Sequence, residues 1–202
     1  MDPKRRGKWP TEAKDCRMTR MLEVEMKFRV RDFEAVRSRL AHAGARAESE
    51  HEESDEYFNA PDRDFAATDE ALRIRRAGDS VLMTYKGPKL DALTKTRAEV
   101  EVPLAGGPGA AEGLRRLLIH LGYRPVSVVR KLRRIHRLER EGFPIELCLD
   151  EVEGLGSFVE LEIQAPRDRM EAAKAALLAL AADLGLEGSE RRSYLELLLE
   201  GS

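Results

Sequence analysis

Six short stretches of the chain set charged residues two apart between apolar neighbours: Glu23-Val-Glu25-Met-Lys27, Arg73-Ile-Arg75, Glu99-Val-Glu101, Lys131-Leu-Arg133, Glu146-Leu-Cys148-Leu-Asp150 and Glu160-Leu-Glu162. Successive side chains of a strand point to opposite faces, so each stretch gathers its charges on one face. Any one of them alone describes a strand with its charges in water. Both signs recurring in strand after strand describe something different if those faces turn inward: a lumen crowded with carboxylate, guanidinium and ammonium groups. That chemistry suits a polyanion held together with metal ions, and a triphosphate fits best. Residues two apart on a strand are roughly 6.6 Å from each other, so paired cations reach neighbouring phosphate groups. Arg73, Arg75 and Arg133 offer planar forks, while Lys27, Lys86 and Lys131 act as point charges. Interleaved carboxylates make burial of such cations tolerable.

The elements that must position these residues read as follows. A strand runs from about Leu22 to Val30, and Asp32 caps a helix over roughly Phe33–Ala43 that stops at Gly44. Residues 48–56 form an acidic run that reads as a solvated strand start, leading through Tyr57-Phe58 to a turn at Asn59-Ala-Pro61. Strands Ala71–Arg76 and Ser80–Lys86 form a hairpin about Gly78-Asp79, and Thr94–Pro103 reads as one long strand. A helix over Ala110–Leu121 follows, then strands Arg124–Leu138, Pro144–Glu151 and Phe158–Gln164. A strong helix, Arg167–Leu184, and a short terminal segment, Arg191–Leu199, end the chain. Without regular βαβ alternation, this is an α+β protein with a mainly antiparallel sheet.

Composition narrows the function classes. The 202 residues fit one domain with a tail, and 36% are charged with a net charge of −2, which gives no support for a nucleic-acid coat. Cys16 and Cys148 lie far apart and form no zinc-ligand spacing, so a reducing cytoplasm is the expected setting. The longest apolar run, residues 175–182, is too short to span a bilayer. Residues 1–20 carry Lys4, Arg5, Arg6 and Lys8 among prolines and a glycine, and read as a disordered extension to a domain over residues 21–199. The four histidines have no metal-like spacing, and Tyr57, Phe58, Tyr85 and Tyr194 read as core or rim residues.

The ordered set resembles the CYTH family, the triphosphate tunnel metalloenzymes that include class IV adenylyl cyclases and thiamine triphosphatases. The N-terminal ExExK signature stands as Glu23-Val-Glu25-Met-Lys27. Further matches are Asp55-Glu-Tyr57-Phe58, Leu72-Arg73-Ile-Arg75, Tyr85-Lys86, Arg97-Ala-Glu99-Val-Glu101, Lys131-Leu-Arg133 and Leu149-Asp150…Gly154-Leu-Gly156-Ser-Phe158-Val-Glu160-Leu-Glu162. The ending Ser193-Tyr194-Leu195-Glu196 looks most like the cyclase-type branch. The resemblance implies a closed antiparallel eight-stranded β-barrel flanked by helices. It implies triphosphate binding by Lys27, Arg73, Arg75, Lys86, Arg97, Lys131 and Arg133, with Lys27, Lys131 and Arg133 in catalytic roles. It implies Mg²⁺ or Mn²⁺ on Glu23, Glu25, Asp150, Glu160 and Glu162, with Glu99 and Glu101 favoured as structural partners of the basic groups. The function so implied is an adenylyl cyclase converting ATP to 3′,5′-cyclic AMP and pyrophosphate. The alternatives are a triphosphatase acting on tripolyphosphate, thiamine triphosphate or nucleotides, and a noncatalytic binding module. Neither nucleic acid nor membrane is an expected partner, and a homodimer is common in the resembling group.

Overall fold

The computed structural model describes residues 21–90 and 94–201, so the extension expected over residues 1–20 lies outside the described residues. Eight antiparallel strands form one curled sheet: β1 Met21–Val30, β2 Arg46–Asn59, β3 Ala71–Ala77, β4 Ser80–Lys86, β5 Glu99–Leu104, β6 Arg124–Arg140, β7 Phe143–Val152 and β8 Gly156–Pro166. Their order across the sheet is β1-β8-β7-β6-β2-β3-β4-β5. The β6–β7 hairpin turns on Glu141 and Gly142, both with positive φ, the backbone twist that matches right-handed strands.

The period of two puts every charged stretch on the concave face. The opposite parity of β1, β7 and β8 supplies Val24, Met26, Phe28, Ile145, Leu147, Leu149, Val159, Leu161 and Ile163 to a core on the convex face. Two helices cover that core: α1, Glu34–His42, through Val36 and Leu40, and α4, Met170–Asp183, through Ala173, Ala176, Leu177 and Leu180. A second core lies under the one-turn α2, Phe65–Thr68, and α3, Gly107–His120, where Phe65, Ala111 and Leu118 pack on Leu72, Ile74 and Val81.

Two expectations need correction. The barrel is not closed by a continuous ladder: β1 and β5 are the edges of an open, curled sheet. The segment expected to begin a long strand at Thr94 is irregular up to Ala98, and β5 starts at Glu99. This irregular stretch crosses the gap instead. Lys95 N donates to Glu25 O at 3.0 Å, and Glu23 and Arg97 exchange backbone bonds at 3.3 and 3.4 Å, an isolated bridge from the chain ahead of β5 to β1. Its backbone therefore reaches β1 on one side, while on the other Ala98 O and Thr96 O accept from Gly87 N and Leu90 N beyond the end of β4. The last helix, α5, Tyr194–Glu200, packs differently from α1 and α4. Capped by a reciprocal Ser193–Glu196 box, it does not lie on the outer surface: Tyr194 and Leu197 pack on Tyr57, Val129, Val152 and Phe158, all of inward parity. The hollow is thus partly floored by apolar side chains.

Candidate functional site

A cavity of about 640 Å³ occupies the concave face, inside the range of small-molecule sites, roughly 300–1,000 Å³. Glu23, Glu25, Lys27, Arg73, Arg75, Lys86, Arg97, Lys131, Arg133, Glu160 and Glu162 all line it, so the structure brings together every expected site residue except Asp150. The exception is instructive. Asp150 is wholly buried beneath Lys131 and Arg133 and accepts bonds from both, and from the Tyr194 hydroxyl at 2.9 Å.

The cations of β3 and β6 form one wall, and each is already gripped by a carboxylate. Arg75 forks onto Asp55, with Nε–Oδ1 at 2.7 Å and Nη2–Oδ2 at 2.8 Å, and lies 3.3 Å from Glu53. Arg73 sits 3.3 Å from Asp55 and donates to the Tyr57 hydroxyl. Lys131 Nζ lies between Glu53 at 3.1 Å and Asp150 at 3.2 Å. Arg133 Nε donates to Asp150 Oδ1 at 2.8 Å, and its Nη2 reaches Asp150 and Glu160. Burial alone would raise the Asp55 carboxyl pKa, but Arg75 and Arg73 overcome it and hold the group well below the usual range. Burial likewise opposes the lowering of Glu53, which Lys131, Arg75 and Arg133 outweigh. This wall is a preassembled ionic lattice.

The wall built by β1, β8 and β5 carries the opposite excess. Lys86 Nζ pairs with Glu23 at 2.8 Å and Glu99 at 2.9 Å, and Lys95 Nζ with Glu25 at 2.6 Å. Sheet register sets Glu162 directly between Glu25 on β1 and Glu146 on β7. Among the described residues Glu162 makes no ion pair, and its side chain accepts one bond, from Gln164 Nε2 at 3.0 Å. Burial first, then the charge of Glu23, with Glu25 and Glu146 adding, push its carboxyl well above the ordinary range.

Between the walls stands Lys27, fully buried. Its Nζ donates to the Arg192 carbonyl and lies 4.1 Å from the centre of the Tyr194 ring. Burial, then the nearby charge of Lys95, lowers its pKa to about 7. Two guanidinium groups are left wanting: Nε of Arg73 and Nε of Arg97 are buried without a hydrogen-bond partner. Buried unpaired donors are uncommon in native proteins and fit an anion. The carboxylates of the other wall supply hard oxygen donors of the kind Mg²⁺ or Mn²⁺ takes, and Glu162 stands among them without a direct ion pair to any described residue, Lys86 acting on it only from a distance. Among the described residues no three of these carboxylates yet converge on one point. Lys86 and Lys95 stand on them instead.

Sequence reasoning passed over Lys95, Glu53 and the anchoring role of Asp55. Lys95-Thr-Arg97-Ala-Glu99 sets charges two apart as the six stretches do, and that signal could have found Lys95, whereas Glu53-Ser-Asp55-Glu-Tyr57 has polar residues between its charges and offers no such signal. Tyr57, Phe58 and Tyr194 are buried, as packing residues should be. Cys148 faces inward, and burial pushes its thiol pKa well up, which disfavours the reactive thiolate.

Comparison with known proteins bears on what such a cavity does. The CYTH domain profile matches residues 21–194. A Methanocaldococcus jannaschii protein with a provisional adenylate cyclase name is 39% identical over 88% of this chain and 98% of its own. Adenylate cyclase CyaB of Aeromonas hydrophila is 33% identical over 85% of this chain and 86% of its own. The structure of a Pyrococcus horikoshii protein superposes with a TM-score of 0.79 at 38% identity, covering 89% of this chain and 99% of that one. A Hippeastrum protein described as having a dominant triphosphatase activity shares the fold, with a TM-score of 0.64 at 19% identity over 90% of this chain and 96% of its own.

Proposed function

The chain belongs to the CYTH family, and from that premise we propose that it is a divalent-metal-dependent adenylyl cyclase converting ATP to 3′,5′-cyclic AMP and pyrophosphate. The observation that carries this reading is the pair of facing walls in one cavity, cations held by buried carboxylates on one side and under-compensated carboxylates on the other. The relatives named as cyclases, matched over nearly the whole chain, favour cyclisation over hydrolysis.

In this reading Arg73, Arg75, Lys86, Arg97, Lys131 and Arg133 bind the phosphate chain, and the orphan Nε groups of Arg73 and Arg97 gain their missing acceptors. The ribose 3′-oxygen attacks the α-phosphorus, the bond to the bridging oxygen breaks, and the basic wall holds the departing pyrophosphate. Because Asp55, Glu53 and Asp150 fix the cations beforehand, little reorganisation accompanies the charge shift. Lys27 stands between the walls, where with Lys131 and Arg133 it meets the reacting phosphate. Glu23, Glu25, Glu160 and Glu162 would hold Mg²⁺ or Mn²⁺, which supplies charge neutralisation and eases loss of the hydroxyl proton. Asp150 belongs to this site as the anchor of Arg133 and Lys131.

A second reading, a triphosphatase, uses the same cations with water as nucleophile, and the Hippeastrum protein illustrates that this fold hosts such a reaction. Incubation with ATP or tripolyphosphate under Mg²⁺ and under Mn²⁺, with chromatography of the products, separates the two. Cyclic AMP with stoichiometric pyrophosphate is the expected result. Orthophosphate from both substrates without cyclic nucleotide would replace the cyclase with the hydrolase. Tight binding without turnover under either metal would leave a binding module.

A further inference from the structure

Lys95 belongs to none of the roles above, yet its ammonium sits in the cavity wall, 3% exposed, 2.6 Å from Glu25 Oε1. The geometry points to Lys95 as an internal stand-in for the divalent ion, holding Glu25 while the site is empty and turning to the phosphate chain when metal and triphosphate arrive. This inference rests on the functional reading above and adds a residue and a coupling to it.

Three features single Lys95 out. It holds one ion pair, whereas Lys86 and Lys131 each hold two, so its ammonium is the most easily released of the three. Its backbone is pinned: Lys95 N donates to Glu25 O, and the Glu23–Arg97 bridge lies two residues on. Only the side chain need move, by rotation of a flexible four-carbon stem. Its neighbours also keep it charged: burial opposes the ammonium, but Glu25 first and then Glu160 outweigh it, so the side chain reaches a phosphate oxygen as a cation.

The consequence is a linkage. A divalent ion bound through Glu25 Oε1 must displace the ammonium, so Lys95 weakens metal binding to the free protein. A triphosphate offers the displaced ammonium a new acceptor, so each ligand favours the other by the same factor. A purely structural lysine would do neither.

Calorimetric titration of wild type, Lys95→Met and Lys95→Arg tests this with binding alone. Mn²⁺ without phosphate is expected to bind the methionine variant about tenfold more tightly than wild type, and tripolyphosphate with chelator about tenfold more weakly. The arginine variant keeps the charge and is expected to stay near wild type for both. Mn²⁺ affinity that is unchanged or reduced in a folded Lys95→Met protein overturns the proposal. Should that variant not fold, wild-type protein carrying ¹³Cε-lysine serves, with Lys95→Arg identifying the signal. Mg²⁺ alone must shift the Lys95 resonance, and an unmoved signal at saturation overturns the proposal equally. Absence of Mn²⁺ and tripolyphosphate binding in every form removes the functional reading together with this one. Binding by all forms at equal affinity removes this one alone.

Discussion

The two walls of the cavity contain the same kinds of side chain and treat them in opposite ways. On β3 and β6, Arg73, Arg75, Lys131 and Arg133 interlock with Glu53, Asp55 and Asp150, and several of these contacts are two-pronged. On β1 and β8, Glu23 pairs with Lys86 and Glu25 with Lys95, while Glu162 makes no ion pair among the described residues. The first arrangement lets a protein fold around buried cations before any substrate is present. The second leaves negative charge for an ion that is not part of the chain. One wall serves folding and binding together; the other serves binding at some cost to folding. Substitutions of similar chemistry should therefore shift stability in opposite directions on the two walls.

The largest shift is expected at Asp150. Asp150→Asn leaves Arg133 and Lys131 without their shared carboxylate in a fully buried position, and breaking such a set costs about 3–5 kcal/mol. Urea unfolding should show a lower midpoint with little change in slope, and tripolyphosphate binding should fall with it. A midpoint within error of wild type would erase the difference between the walls.

Asp55→Asn sharpens the same contrast through pH. The Asp55 pKa is lower folded than unfolded, so its ion pairs contribute stability that is present above the ordinary carboxylate pKa. That contribution is lost as pH falls toward the depressed folded value. The variant should lose about 2–3 kcal/mol at pH 7 and show a shallower decline of stability below pH 4. Parallel decline of the two proteins would show that Asp55 is not the group responsible.

On the other wall the sign reverses. Glu162 has a raised folded pKa, so the metal-free protein becomes less stable as pH rises from the ordinary carboxylate range through that raised value. Glu162→Gln should leave the chelator-treated protein about 1 kcal/mol more stable at pH 7, while Mn²⁺ affinity and metal-dependent turnover fall at least tenfold. A destabilised variant would mean that this carboxylate is part of the lattice after all.

How much of this could be read before the structure depends on what each feature needs. Alternation is local, so the inward parity of Glu23, Arg75, Arg133 and Glu160 was readable from two or three neighbours. Whether a given strand's polar face meets water or the hollow is not local. Glu53 and Asp55 were read as the end of a solvated acidic run, yet the outer half of β2 is exposed and its inner half is buried, because only the inner half lies opposite β3. Closure failed for a related reason. Whether β1 and β5 meet depends on the accumulated curl of eight strands and on the residues bridging them, and no pattern within either edge strand encodes that. The parity of Lys95 with Arg97 and Glu99 was readable, but not that residues 95–97 cross to β1 in place of extending the β4–β5 ladder, which is what sets Lys95 on Glu25.

The smallest effect is expected where the walls are joined by α5. Tyr194 donates its hydroxyl to Asp150, stacks edge-on against Phe158 with ring centres 5.0 Å apart, and presents its face to Lys27. Tyr194→Phe removes the hydrogen bond alone. Asp150 keeps Arg133 and Lys131, so the cost is that of one hydrogen bond at a group with other partners, about 1 kcal/mol. The ring still faces Lys27, so metal affinity should not change. If tripolyphosphate binding instead fell as far as in Asp150→Asn, the hydroxyl would be fixing the position of Asp150, and through it Arg133. The helix on the concave face would then be a third part of the binding lattice, and no longer only its floor.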